Sequence, residues 1–191
     1  MTEQEKSYHH GGLRLAILQA AERKIADQPI QTLSIRELAR EAGVSPGAPY
    51  HHFGDRNGLM LALCEYGLDK LVEAVGAVQG NELSTKIKAY LDFAEAHQEL
   101  HDLMFSDAAD EADLDNSLQA KRNLLFAQIR ADLQASNPER GDTEQTDDAM
   151  AIWCFLHGVS RLCCKPAMLE IVPSEDLQRF IMRSIEALKA R

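Results

Sequence analysis

The sequence predicts an all-α protein. A small N-terminal domain of three short helices carries a helix-turn-helix, a long helix follows, and a larger helical domain lies behind it. Three observations predict this. Apolar residues recur at i, i+3, i+4 and i+7 along most of the chain, the spacing that lines one face of a helix. Helix start and stop signals alternate at short intervals between Pro29 and Asp55. Polar stretches at Asp107–Asp115 and Asn137–Asp142 separate the later periodic runs and read as loops. The expected division is residues 1–54 and 55–191.

The first helix is expected from Leu13 to about Ala26, with Ile17, Leu18, Ala21 and Ile25 inward and Gln28-Pro29 as its stop. Ser34 and Glu37 form a capping box for the second helix, whose Ile35, Leu38, Ala39 and Ala42 line a buried face. Arg36, Glu37, Arg40 and Glu41 fall on its outer face. Gly43 ends that helix where the backbone needs a positive φ. Ser45 reads as the cap of a third helix with Pro46 in its first turn. Pro49 deletes that helix's first hydrogen bond, to the Ser45 carbonyl. Pro49 and Phe53 are expected to pack inward with Val44, leaving Gly47, Ala48, Tyr50, His51 and His52 largely outside. Asp55 caps a fourth helix reaching about Gln79, and Gly58 in its first turn is a weaker helix former. Its apolar residues fall on two sides: Leu59, Leu63 and Tyr66, then Leu61, Leu68, Val72 and Val75. Further helices are expected at Ser84–His97, Gln98–Ser106, Asn116–Ser136, Thr146–Cys164 and Ser174–Lys189.

Charge and composition narrow the function. The net charge of −10 is unevenly divided. Residues 1–58 hold seven Lys/Arg and seven Asp/Glu, whereas residues 59–191 hold thirteen and twenty-three. The acidity lies outside the helix-turn-helix, so it repels a polyanion from everywhere except that end. No apolar run approaches the ~20 residues of a membrane span. The N-terminus carries no apolar signal-peptide core. Four cysteines, two of them adjacent at Cys163-Cys164, do not form a disulfide framework and suit a reducing compartment. The expectation is a cytoplasmic protein with no cofactor. No Gly-rich phosphate loop, G-x-S-x-G or paired Cys-x-x-Cys is present, which argues against an enzyme.

A helix that opens with small residues can approach a surface closely, and tyrosine hydroxyl and imidazole groups bond phosphates or base edges. These are the features of Ser45–Phe53. Ala42-Gly43-Val44-Ser45, Tyr50-His51-His52-Phe53 and Asp55-Arg56 together resemble the DNA-binding domain of the TetR family of transcriptional regulators. Tyr8-His9-His10-Gly11-Gly12-Leu13-Arg14 resembles the opening of one subgroup of it. Trp153 with His157-Gly158, together with Ala96-His97 and Leu103-Met104-Phe105, resembles that subgroup's C-terminal WHG domain. Two positions depart from the pattern. Pro49 replaces a branched apolar residue, though Ala48-Pro49-Tyr50 suits the subgroup, and Gly58 replaces a better helix former.

The resemblance implies a dimeric regulator of double-stranded operator DNA, most often a repressor, released by a small molecule. It implies DNA contacts from Arg36, Ser45, Pro46, Gly47, Ala48, Tyr50, His51, His52 and Arg56. It implies an effector pocket among the middle helices, for which Tyr90, Phe93, Met104, Phe105, Phe126, Trp153 and His157 are candidates; plain core packing also accounts for each. The last two helices are the expected homodimer interface. The amphipathic stripe Leu177, Phe180, Ile181, Ser184, Ile185 and Leu188 serves either that role or the monomer core. Other readings stand beside this one. His97 and His101 have the i, i+4 spacing of a shared metal. Cys163-Cys164 could sense oxidants. A helical ligand-binding adaptor without DNA binding would share the same C-terminal half.

Overall fold

The computed structural model describes residues 3–78, 83–162 and 174–189, with side chains described from Gly12 onward apart from 174, 178 and 189. The elements are α1 (Glu3–Ile25), a 3-10 turn (Ile30–Thr32), α2 (Ile35–Glu41), α3 (Ala48–Phe53), α4 (Arg56–Gly76), α5 (Leu83–Ala96), α6 (Gln98–Met104), α7 (Asp107–Ala112), α8 (Ser117–Ser136), α9 (Asp142–Leu162) and α10 (Ser174–Lys189). No strand occurs among the described residues. The chain forms two compact units: Met1–Leu68 with Glu99–Leu118, and Asp69–Gln98 with Gln119–Arg191. The expected boundary at 54/55 thus falls inside the first unit.

In the first unit, Ile17, Leu18, Ala20, Ala21 and Ile25 of α1 are buried together with Leu38 and Ala39 of α2 and Leu59 and Leu63 of α4. Each such leucine or isoleucine contributes about 1.5–3 kcal/mol by leaving water. α1 begins ten residues before the expected Leu13, because the Gly11-Gly12 pair lowers helix propensity without interrupting the hydrogen-bond ladder. The Ser34 hydroxyl caps α2 by accepting the Glu37 N–H at 3.4 Å, as the capping box predicts. Gly43 ends α2 with φ +70°, where a side chain would be strained. Tyr66 donates its hydroxyl to Glu22 at 2.9 Å, and burial with this carboxylate pushes its pKa up to about 12, so it remains a donor.

Residues 107–112 form α7 rather than part of a loop. Ser106 caps it by accepting the Ala109 N–H at 3.2 Å, and Asp107 and Asp110 in the first turn oppose the helix dipole. α6 lies against α4 at Gly67, where a Cβ would come within 2.6 Å of the Met104 Sδ and 3.0 Å of Leu100.

In the second unit, Leu71 and Val75 of α4, Leu83, Ile87, Tyr90 and Phe93 of α5, Leu125, Ile129 and Leu133 of α8, and Ala149, Ile152, Leu156 and Val159 of α9 form the core. α9 starts four residues earlier than expected. Asp142 and Glu144 stabilise its N-terminal turn, and the Thr146 hydroxyl folds back onto the Asp142 carbonyl at 2.8 Å. α4 ends at Gly76 rather than at Gln79; the expected stop at Gly80-Asn81 and the Cys163-Cys164 pair lie outside the described residues.

Candidate nucleic-acid interface and effector cavity

The second helix of the helix-turn-helix is shorter than the sequence predicts. Ser45 does not cap it. The Ser45 carbonyl accepts the Ala48 N–H at 3.0 Å across a Pro46-Gly47 turn, and α3 begins at Ala48 with Gly47 as its N-cap. The reason is Pro49. Without an N–H it cannot close a helical bond to the Ser45 carbonyl, so the helix starts where Pro49 falls in the first turn and no such bond is needed. Pro49 and Phe53 are buried, as expected, while Val44 is half-buried. The Arg14 guanidinium lies 5.7 Å from the Phe53 ring centroid and pairs with Glu65 at 3.2 Å, which fixes the C-terminal end of α3 on α1 and α4.

The α3–α4 corner closes tightly. Gly54 takes φ +75°. Asp55 caps α4 by accepting the Gly58 N–H at 2.9 Å. A Cβ at Gly58 would stand 1.9 Å from the Phe53 carbonyl oxygen. Gly58 therefore allows the close approach, rather than merely loosening the turn as helix propensity suggests.

Ser45, Pro46, Gly47, Tyr50 and His51 are exposed, and Ala48 and His52 are half-buried. A Cβ at Gly47 would meet nothing within 4 Å, so the turn offers open backbone to an approaching surface. The cations divide into two sets. Arg23 and Lys24 pair with Glu41 at 3.1 and 3.8 Å. Arg56 is half-buried and donates to the Leu33, Ile30 and Gln31 carbonyls, the last two at 3.0 and 3.2 Å. Its guanidinium closes the carbonyl end of the 3-10 turn, so the phosphate contact expected of Arg56 requires it to leave these carbonyls. Arg36 and Arg40, one turn apart on α2, are exposed and make no ion pair or hydrogen bond with the described residues. Arg40 was legible in the sequence as an outward residue.

The candidate effector residues separate. Met104 and Phe105 belong to the first unit, where Met104 is fully buried beside Gly67. α5 ends at Ala96 in the second unit, and the chain turns at His97 before α6. That turn also removes the single helix on which the His97/His101 metal spacing depended. His97 lies 4.7 Å from the Phe93 ring and buried His101 lies 5.0 Å from the Phe105 ring. Among the described residues no group of three or more His, Cys, Asp or Glu could hold a metal ion.

In the second unit Tyr90 and Trp153 do line a cavity, with Val75, Ile87, Ile129 and Leu156 as its apolar wall. The cavity is about 20 Å³, room for about one water. Phe126 meets Trp153 edge to face at 6.0 Å, and Phe93 is core; neither reaches the lining. His157 lies behind Trp153, its ring 4.7 Å from the indole and its Nδ1 3.0 Å from the Trp153 carbonyl oxygen. Burial lowers its pKa more than that bond raises it, and Arg161 and Arg122 lower it further. Tyr90, buried, has its pKa raised by desolvation.

Two charged groups in the lining were not singled out from sequence. Lys86 and Asp132 are buried and paired at 2.7 Å, and Gln128 donates to the same Asp132 oxygen at 3.0 Å. A signal was available. Lys86 falls on the apolar face that Leu83, Ile87 and Tyr90 define, and Asp132 on the face of Leu125 and Ile129.

Of the dimer stripe, Leu177 and Ile185 are buried in the core of their own unit, Ile181, Ser184 and Leu188 are half-buried, and Phe180 is 55% exposed. The Phe180 ring centroid is 6.0 Å from that of Phe155 on α9, a residue the sequence reading passed over.

Comparison with known proteins agrees with this architecture. Residues 17–63 match the model described as bacterial regulatory proteins, tetR family, and residues 83–188 match the tetracyclin repressor-like C-terminal domain. The chain is 40% identical over 67 residues to the HTH-type transcriptional regulator BetI of Rhizobium meliloti, covering 35% of this chain and 33% of that protein. It thus spans about a third of the length of the curated relative it matches. A Rhodococcus sp. RHA1 protein of unknown function has the same fold at TM-score 0.70 and 29% identity, covering 96% of both chains. BioQ, solved with its natural double-stranded DNA operator, superposes at TM-score 0.60 and 20% identity over 93% of this chain and 98% of that one, which speaks to fold alone. No helix among the described residues is long and apolar enough to cross a membrane. With its N-terminal helix-turn-helix and its C-terminal helical half both matched, the chain belongs to the tetR family.

Proposed function

We propose that the protein is a repressor that binds a palindromic operator as a C2 homodimer and is released by a small molecule. The observation that carries the DNA reading is the contrast between anchored and open groups. Arg56, Arg23 and Lys24 are engaged within the fold, whereas Arg36, Arg40, Tyr50 and His51 face solvent without a partner among the described residues. α3 enters the major groove, Tyr50 and His52 hold phosphates or base edges, and the Pro46-Gly47 turn admits the backbone to the groove edge. BioQ, of the same fold, was solved on its operator.

Two half-sites require two readers, which supports the dimer. Its apolar surface is Phe155 and exposed Leu162 on α9 with Phe180 on α10. Effector release is supported by α4. Its N-terminal turn is fixed in the reader by Asp55 and Arg56, and its Val75 lines the cavity. A ligand larger than one water must move the cavity wall, and a ligand that prefers one placement of α4 shifts the population of DNA-competent dimers.

A mobility-shift titration with the DNA flanking the protein's own gene tests this reading. Tyr50→Ala is expected to weaken binding by roughly fivefold or more per half-site, the loss of about one hydrogen bond of ~1 kcal/mol, with the fold unchanged by circular dichroism. Tyr50 is 48% exposed, so truncation leaves no cavity. Equal affinity of wild type and variant would remove α3 as the reader.

A further inference from the structure

Asp132 is 4% exposed and Lys86 9%. Lys86 Nζ and Gln128 Nε2 both donate to Asp132 Oδ1, at 2.7 and 3.0 Å. The second carboxylate oxygen, Oδ2, is fully buried and has no hydrogen-bond partner among the described residues. A buried carboxylate oxygen without a donor is costly. Asp132 lines the same cavity as Val75, Leu83, Ile87, Tyr90, Leu125, Ile129, Trp153 and Leu156. The site therefore combines apolar and aromatic walls with one acceptor that lacks a donor, and the two formal charges among its described lining residues cancel.

We infer that the effector is a neutral molecule with an apolar body and one hydroxyl or N–H donor, and that Asp132 Oδ2 receives this donor. This rests on the reading of the second unit as a ligand-binding domain. The charge balance selects the class. A cationic ligand would leave a net positive charge inside an apolar wall, because Lys86 already neutralises Asp132. An anionic ligand would leave a net negative charge and bring its own acceptors to an oxygen that lacks a donor. A neutral donor supplies the missing hydrogen bond and leaves the pair intact. Its apolar body displaces the side chains that now reduce the cavity to about 20 Å³.

The chain has one tryptophan, Trp153, and it lines this cavity, so its fluorescence reports occupancy directly. The full-length protein without DNA is titrated with four probes of one shape: benzyl alcohol, toluene, benzylammonium and benzoate. Benzyl alcohol is expected to bind more tightly than either ion. The second arm replaces the pair by apolar residues in Lys86→Met/Asp132→Leu, a change that buried ion pairs often tolerate. There the preference for benzyl alcohol over toluene should fall roughly tenfold, since a hydrogen bond to a charged acceptor is lost while the transfer cost of the hydroxyl is unchanged. An unchanged preference, tightest binding by benzylammonium or benzoate, or no binding of any probe would each overturn the inference. Should the double variant fail to fold, the wild-type order of alcohol against the two ions still decides. The titration contains no DNA, so its failure is separable from failure of operator binding in the mobility shift.

Discussion

Burial of His157 favours its neutral imidazole, and this has a measurable consequence for stability. Its pKa is lowered from the ordinary 6.5, first by desolvation and then by Arg161 and Arg122, against a smaller raising effect of the Trp153 carbonyl. Between 6.5 and the lowered folded value, the unfolded chain binds a proton that the folded chain does not. The stability that goes with neutral His157 is therefore complete above the unfolded pKa. It is lost as pH falls through the window below, and no further below the folded pKa. Thermal melts between about pH 7.5 and 5 are expected to show the wild type losing stability relative to His157→Phe, which keeps a ring beside Trp153 and Tyr90 without a titrating group. The two proteins differing by a constant amount across that range would show that His157 does not carry this term. The same residue illustrates what sequence could and could not tell. A histidine one turn after Trp153 on an apolar helix was legible as needing a partner. That the partner is the Trp153 carbonyl at 3.0 Å, rather than a ligand, depends on the rotamer.

At the scale of elements, the amphipathic stripe of α10 divides into buried and exposed positions. Leu177 and Ile185 face the core of their own unit, and Ile185 is 1% exposed. Phe180 stands about 60° around the helix from Leu177 and is open apart from its contact with Phe155. Charge at the two positions should therefore act differently. Phe180→Asp is expected to shift the dimer toward monomer by tenfold or more in dissociation constant (~1.4 kcal/mol) while leaving the helical signal intact. Ile185→Asp should instead cost roughly 3 kcal/mol or more through a buried unpaired charge and unfold the second unit. Sedimentation with circular dichroism separates the two. A Phe180→Asp protein as dimeric as the wild type would place the interface elsewhere. Helical periodicity identified the stripe but not this division, since a 100°-wide apolar face looks the same whether one neighbour covers it or two. Caps were read more reliably than lengths. Ser34, Gly43 and Asp55 act through bonds two to four residues away, which sequence displays. Ser45 failed because Pro49 decides where its helix begins. α7 was missed because its acidic residues read as a solvated loop, although Ser106 with Asp107 and Asp110 is an N-terminal helix signal. The Lys86–Asp132 pair was overlooked because charged side chains are seldom fully buried unless each has the other.

For the molecule as a whole, the distribution of charge would set how the proposed reader meets DNA. The net charge of −10 arises entirely beyond residue 58, and the reader itself is balanced. A balanced reader gains little from a general positive field, so its electrostatic affinity rests on the cations that are open. Within 12–58, Arg36 and Arg40 are those without an ion pair or hydrogen bond among the described residues. A dimer would thus bring about four such arginines to the phosphates. Each neutralised phosphate of a duplex contributes about −0.9 to the slope of log affinity against log salt, so the slope should lie near −4, shallow for a dimeric repressor. Arg36→Ala changes both protomers at once and should flatten the slope by about 2. Exposed Asp147, on α9 in the second unit, provides the contrast. Asp147→Asn should leave the slope unchanged, because only counterions released from DNA at the contact enter it. Fluorescence anisotropy of labelled operator from about 50 to 200 mM salt measures all three proteins. A wild-type slope near −7 would mean that both arginines now engaged within the fold, Arg56 and Arg23, turn outward on the operator. An Arg36→Ala slope equal to that of the wild type would take Arg36 off the phosphates altogether.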